Sequence, residues 1–145
     1  MKLEQQVASL ELAKKLEALG VPQKSYFMWI PTMQQGKVYE NAKKGKYSIA
    51  HGKKHHNLPK DAFGDYDVPI YAAYTVAELG ELLPTEQNDR LGFFSGRAIN
   101  GWFCEVKNYG VMPFERLHVE LQHDTEANAR ATMLIWLIEN NHTKV

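Results

Sequence analysis

The stretch "RLHVELQHDTEANARATMLIWLIEN", residues 116–140, changes its hydrophobic period partway along. In its first seven residues Leu117, Val119 and Leu121 alternate with Arg116, His118, Glu120 and Gln122. That period of two belongs to a half-buried strand. From Asp124 onward the spacing becomes helical, and Ala127, Ala131, Leu134 and Ile138 form one stripe suited to packing on a sheet. Asp124 or Thr125 is placed to cap this helix, and Glu126 stands in its first turn, where an acid complements the helix dipole. A strand that runs straight into a helix, in a chain without regular βαβ alternation, predicts an α+β domain. Its expected form is a mainly antiparallel sheet covered by three short helices.

Working outward, "WFCEVK" (102–107) alternates like a second half-buried strand, whereas "TEQNDRLGFFSGRAING" (85–101) reads as a turn-rich connection. In "YAAYTVAELGELLP" (71–84), Thr75 and Glu78 form a T-x-x-E capping box, Tyr74 and Leu79 can staple it, and Pro84 ends the helix. Near the start, Ser9 caps "LELAKKLEALG", with Leu12, Leu16 and Leu19 on one face and Glu11 one turn before Lys15. Gly20 stands where a left-handed cap belongs, and Pro22 forbids continuation. "KSYFMWI" (24–30) reads as a strand apolar on both faces, "QQG" (34–36) as a turn and "KVYEN" (37–41) as a return strand.

With 145 residues, 44% hydrophobic and 23% charged, the chain is expected to fold as one domain over residues 1–145. No apolar run approaches a membrane span, and the first residues do not resemble a signal peptide. Cys104 is the only cysteine, which excludes an internal disulfide and suits a reducing compartment.

Charge is distributed unevenly. Residues 41–60 hold six lysines and three histidines with no acid, while the rest of the chain has eleven basic against seventeen acidic residues. Glycines and Pro59 make this segment a long loop or irregular hairpin. Lys43, Lys44, Lys46, Lys53 and Lys54 can gather around phosphate oxygens with His51 and His55, and Tyr47 can stack on a base. The plain alternative is a solvated loop. Arg97, set among Gly92, Gly96 and Gly101 with Trp102 beside it, is a second candidate anion contact. Its plain alternative is an exposed arginine on a turn.

Catalytic signals are absent. His51, His55 and His56 fit no standard zinc spacing, so no metal is expected. "GFFSGR" is not a nucleophile elbow, because Gly96 follows Ser95 directly. Cys104 lies in an apolar strand pattern, and no phosphate-loop or dinucleotide fingerprint occurs. In the last helix Trp136 points away from the sheet-facing stripe, with Ala129 and Met133 on its side. A second apolar face predicts a homo-oligomer through Ala129, Met133 and Trp136, the plain alternative being the loop 85–101 folded over Trp136.

The blocks "SLELAKKLEALG", "YTVAELGELLP" and "DTEANARATMLIWLIEN" resemble a family of small uncharacterised proteins encoded by phages and prophages. The resemblance implies work in the cytoplasm of a bacterial host and carries no catalytic residues. Together these readings predict a non-enzymatic phage accessory protein that binds an anionic, nucleotide-derived ligand, as in sequestering a host defence signal. No cofactor is expected. The alternatives are a nucleic-acid-binding protein, a protein–protein module inhibiting a host factor and, last, a small hydrolase.

Overall fold

The computed structural model describes residues 2–34, 37–52, 68–83, 91–108 and 118–144. Among the described residues, two antiparallel three-stranded sheets and four α-helices build the expected α+β fold.

The chain starts with a 3-10 turn at Leu3–Gln5, after which Val7 bridges to Thr75. Helix α1 (Leu10–Ala18) follows. Ser9 caps it by accepting from the Leu12 amide, Glu11 lies 3.6 Å from Lys15, and Gly20 takes a φ of +84° beyond its end. Leu12, Ala13 and Leu16 are buried.

Strand β1 (Phe27–Pro31) is the centre of the first sheet, flanked by β2 (Tyr47–His51) and β3 (Tyr71–Ala72). Between β1 and β2 lies α2 (Val38–Lys43), which corrects the expected strand at "KVYEN". Buried Asn41 explains the difference: its Nδ2 donates to the Thr32 carbonyl at 2.9 Å and anchors a helical turn against the end of β1. The pairing partner of β1 is then Tyr47–His51, part of the segment expected as a long loop or irregular hairpin. Residues 53–60 of that expected loop lie outside the described residues.

After β3 comes α3 (Val76–Leu82), whose capping box is present as the sequence implied. Glu78 also accepts from Ser25 Oγ and the Tyr26 amide, tying the start of α3 to the chain just before β1. Tyr74 and Leu79 are both buried in the main core.

The second sheet has the order β4 (Leu91–Ala98), β5 (Gly101–Asn108) and β6 (His118–His123). β4 corrects the turn-rich reading over residues 91–98, while residues 85–90 lie outside the described residues. Glycines lower strand propensity, but here Gly96 lies opposite Phe103, and an added Cβ would meet the Phe103 and Phe94 rings at 3.0 and 3.2 Å. The aromatic rings cover a strand whose own side chain is missing at that point. Gly101 closes the hairpin at φ +149°, with His123 O 2.4 Å from where a Cβ would lie.

The inner face of this sheet carries Phe93, Cys104, Val106, Val119 and Leu121 against α4 (Glu126–Glu139), which Thr125 caps. α4 is also covered by α1 and α3. Asn128, 5% exposed, joins two helix starts: its Oδ1 accepts from the Ser9 amide at 2.8 Å and its Nδ2 donates to Asp124 at 3.0 Å.

This arrangement corrects the expected exposure of Ala129 and Met133. Ala129 and Met133 are fully buried inside the chain's own core, since α1 and α3 supply the second cover that a partner was expected to give. Trp136 is partly buried and stacks on His142 at 5.2 Å.

Candidate functional site

The first sheet offers one face to the main core and the other to α1. Side chains of paired residues share a face, so Phe27, Trp29, Tyr47, Ile49, His51 and Tyr71 lie together on the second. Trp29 is its floor: it packs with Val7 and Ala13, and its Nε1 donates to the Ala8 carbonyl at 2.9 Å. Around it the aromatic rim is only partly covered. Tyr47 and Tyr71 lie 5.9 Å apart at 50°, and the Phe27 and His51 rings meet edge to face at 5.8 Å.

Lys14 reaches this rim from α1. Its ammonium lies 5.5 Å from the centroid of Tyr47 and 5.6 Å from that of Tyr71, inside cation–π range of both. The Tyr47 hydroxyl donates to the Pro69 carbonyl at 3.1 Å, which fixes the ring's tilt. Burial is the larger cause that raises the pKa of both phenols, followed by Tyr71 for Tyr47 and by nearby Glu17 for Tyr71. Both therefore remain neutral donors at physiological pH.

Lys43 ends α2 with its Nζ 4.3 Å from the centroid of Tyr39. Lys44 and Lys46 are exposed on either side of Gly45. The turn holding them is well bonded: the Lys46 amide donates to Asn41 O at 2.8 Å, and the Thr32 amide donates to Lys46 O at 2.9 Å. A hydrogen-bonded turn thus carries exposed ammonium groups to the start of β2. Lys43, Lys44, Lys46, Tyr47 and His51 belong to this α2–β2 stretch. Lys53, Lys54 and His55 lie outside the described residues.

Arg97 and Trp102, the second candidate contact, belong to the other sheet and are not part of this rim. They pair across the β4–β5 hairpin of the second sheet, with Arg97 exposed and Trp102 partly buried. Trp102 lines a separate cleft. Beside it, Arg130 makes a network: Nη2 donates to Glu126 Oε1 at 2.7 Å, Nε to Ser95 Oγ at 3.1 Å, and Nη1 to Val76 O at 3.1 Å.

Nucleophile chemistry finds little support. Ser95 donates to Glu126 at 2.8 Å, and no histidine is part of this network. Cys104 is fully buried, and burial first of all pushes its pKa up to about 11, so it stays a thiol. Among the described residues, no three His, Cys, Asp or Glu side chains come together, and no helix is long and apolar enough to cross a membrane.

Sequence reasoning missed Lys14, Tyr39 and Tyr71. Lys14 reads as an ordinary exposed helix lysine, and Tyr71 joins Tyr47 only through pairing of both strands with β1. The Glu126–Arg130 pair carried a legible signal, four-residue spacing on a helix. Searches against protein-family models, curated proteins and solved structures returned no match.

Proposed function

We propose that this chain is a non-catalytic binding protein for an anionic, nucleotide-derived ligand, held on the lysine and tyrosine rim of the first sheet. The observation that carries the reading is the meeting of Lys14, Tyr47 and Tyr71 from three separate elements. Aromatic faces bind a base without demanding its identity, and ammonium groups neutralise phosphate as point charges. Lys44 and Lys46 supply exposed cations at the start of the same strand that carries Tyr47. The resemblance to phage-encoded proteins gives such binding a purpose, removal of a host signalling nucleotide.

Isothermal titration with AMP, ATP and a cyclic dinucleotide tests the reading. Binding is expected to weaken on Lys14→Glu and on Lys44→Glu with Lys46→Glu, and to weaken less when the lysines become alanine. A single-stranded oligonucleotide whose affinity falls steeply with salt, while the small nucleotides fail to bind, would replace this reading with nucleic-acid binding. Affinities unchanged across the charge-reversal variants would reduce the lysines to solubility.

A further inference from the structure

The cleft beside Trp102 differs in chemistry from the lysine and tyrosine rim. Val7 bridges Thr75, so the 3-10 turn is held against the start of α3, and the second sheet closes the remaining side. The resulting open cavity is about 430 Å³, within the range of small-molecule sites. Trp102, Val76 and Ala77 provide apolar walls, Gln5 and Gln6 provide side-chain amides, and Glu126 provides the one charge among the described lining residues. Among the described residues, no lysine, arginine or histidine lines it.

Glu126 is arranged asymmetrically. Its Oε1 takes the bonds from both Ser95 Oγ and Arg130 Nη2, whereas Oε2 accepts none from the described residues. Arg130 balances the carboxylate's charge, so a second cation would gain little at Oε2 while a neutral N–H donor would gain a charge-assisted bond. The Trp102 indole N–H likewise donates to no described residue. An anion entering the cleft would meet the carboxylate oxygen before the guanidinium, because Arg130 turns its N–H groups to Ser95, Glu126 and Val76 and is not among the lining residues.

We propose that this cleft binds an uncharged, planar heteroaromatic molecule bearing an amino group, of the nucleobase class. The flat ring packs against Trp102, Val76 and Ala77, the amino group donates to Glu126 Oε2, and the ring nitrogens meet the side-chain amide of Gln5 and the indole N–H. This is a second site, distinct from the rim that would take an anionic ligand. The two sites differ in the charge they accept.

Adenine, neutral at pH 7, is the probe, and amide and indole chemical shifts of the ¹⁵N-labelled protein are the readout. Millimolar adenine is expected to shift Val76, Ala77 and the Trp102 indole. Purine, which lacks the amino group, should bind about tenfold more weakly, as should adenine to Glu126→Gln, the loss expected for one hydrogen bond to a carboxylate. Ala77→Phe changes an exposed lining position and should abolish the shifts while the rest of the spectrum stays native. Lys44→Glu should leave adenine binding unchanged even if it removes nucleotide binding at the rim. Shifts centred on Tyr47 and Tyr71, an Ala77→Phe variant that binds like the wild type, or no shifts at millimolar adenine would each overturn the proposal.

Discussion

Gly80 lies inside α3, where glycine costs about 1 kcal/mol relative to alanine, yet replacing it is expected to destabilise the protein. A Cβ added there would sit 2.6 Å from Arg130 Nη1. Reaching ordinary contact at 3.4 Å would take a retreat of about 0.8 Å, enough to carry the 3.1 Å bond from Nη1 to Val76 O out of range. Arg130 cannot swing aside freely, because Nε and Nη2 are held by Ser95 and Glu126 and its side chain is only 18% exposed. Losing a bond from a charged donor in such a setting costs about 1.5–3 kcal/mol. Against the propensity gain of about 1, Gly80→Ala should lose roughly 0.5–2 kcal/mol. The decisive comparison is the same change in an Arg130→Met background, where the obstacle is gone and the alanine should stabilise by about 0.5–1 kcal/mol. Urea unfolding followed by circular dichroism measures all four proteins of the cycle. If Gly80→Ala stabilises the wild type as much as it stabilises Arg130→Met, the reasoning about Arg130 fails.

Other perturbations follow from single contacts. Gly101→Ala places a Cβ 2.4 Å from a backbone oxygen at a φ that L side chains avoid, so it should cost on the order of 2–4 kcal/mol in the same assay. Cys104→Ala should cost about 1–2 kcal/mol and change no ligand binding, and the native thiol should resist labelling until the protein unfolds. The Tyr74 hydroxyl donates to Pro22 O, and its pKa is raised to about 12, by burial first and by Glu78 second. Because the folded protein keeps this proton longer than the unfolded chain does, the stability it contributes is complete below pH 10 and is lost as pH rises toward 12. Tyr74→Phe should therefore flatten the alkaline limb of a stability–pH curve by on the order of 2 kcal/mol, and identical limbs would contradict this.

What the sequence made legible was local. Ser9, Thr75 with Glu78, and Gly20 announce helix ends through bonds spanning a few residues, and all three act as expected. The alternation in residues 102–107 and 118–122 sits within β5 and β6 for the same reason. α2 and β4 escaped because each depends on a distant partner: Asn41 needs the Thr32 carbonyl, and Gly96 needs the ring of Phe103. The candidate site followed that division. Lys43, Lys44, Lys46, Tyr47 and His51 are neighbours in sequence and follow one another along the α2–β2 stretch, whereas Lys14 and Tyr71 meet Tyr47 only through tertiary contacts. Arg97 and Trp102 carried suitable chemistry, but no local signal says which sheet holds them.

The bond between Asn128 and the Ser9 amide spans 119 residues, and it sets a schedule for biosynthesis. α1 has nine residues, too few to persist alone in water. On the ribosome it must wait for α4, which also covers it. At about 5–20 residues per second, that interval is roughly 6–24 s after Ser9 is polymerised. Throughout it, Leu12 and Leu16 have no α4 to pack against, so the nascent chain presents an apolar segment to chaperones and proteases. A ribosome stalled before residue 128 should accordingly hold an α1 that proteases cut, and one stalled well beyond the end of α4 should hold an α1 that resists them.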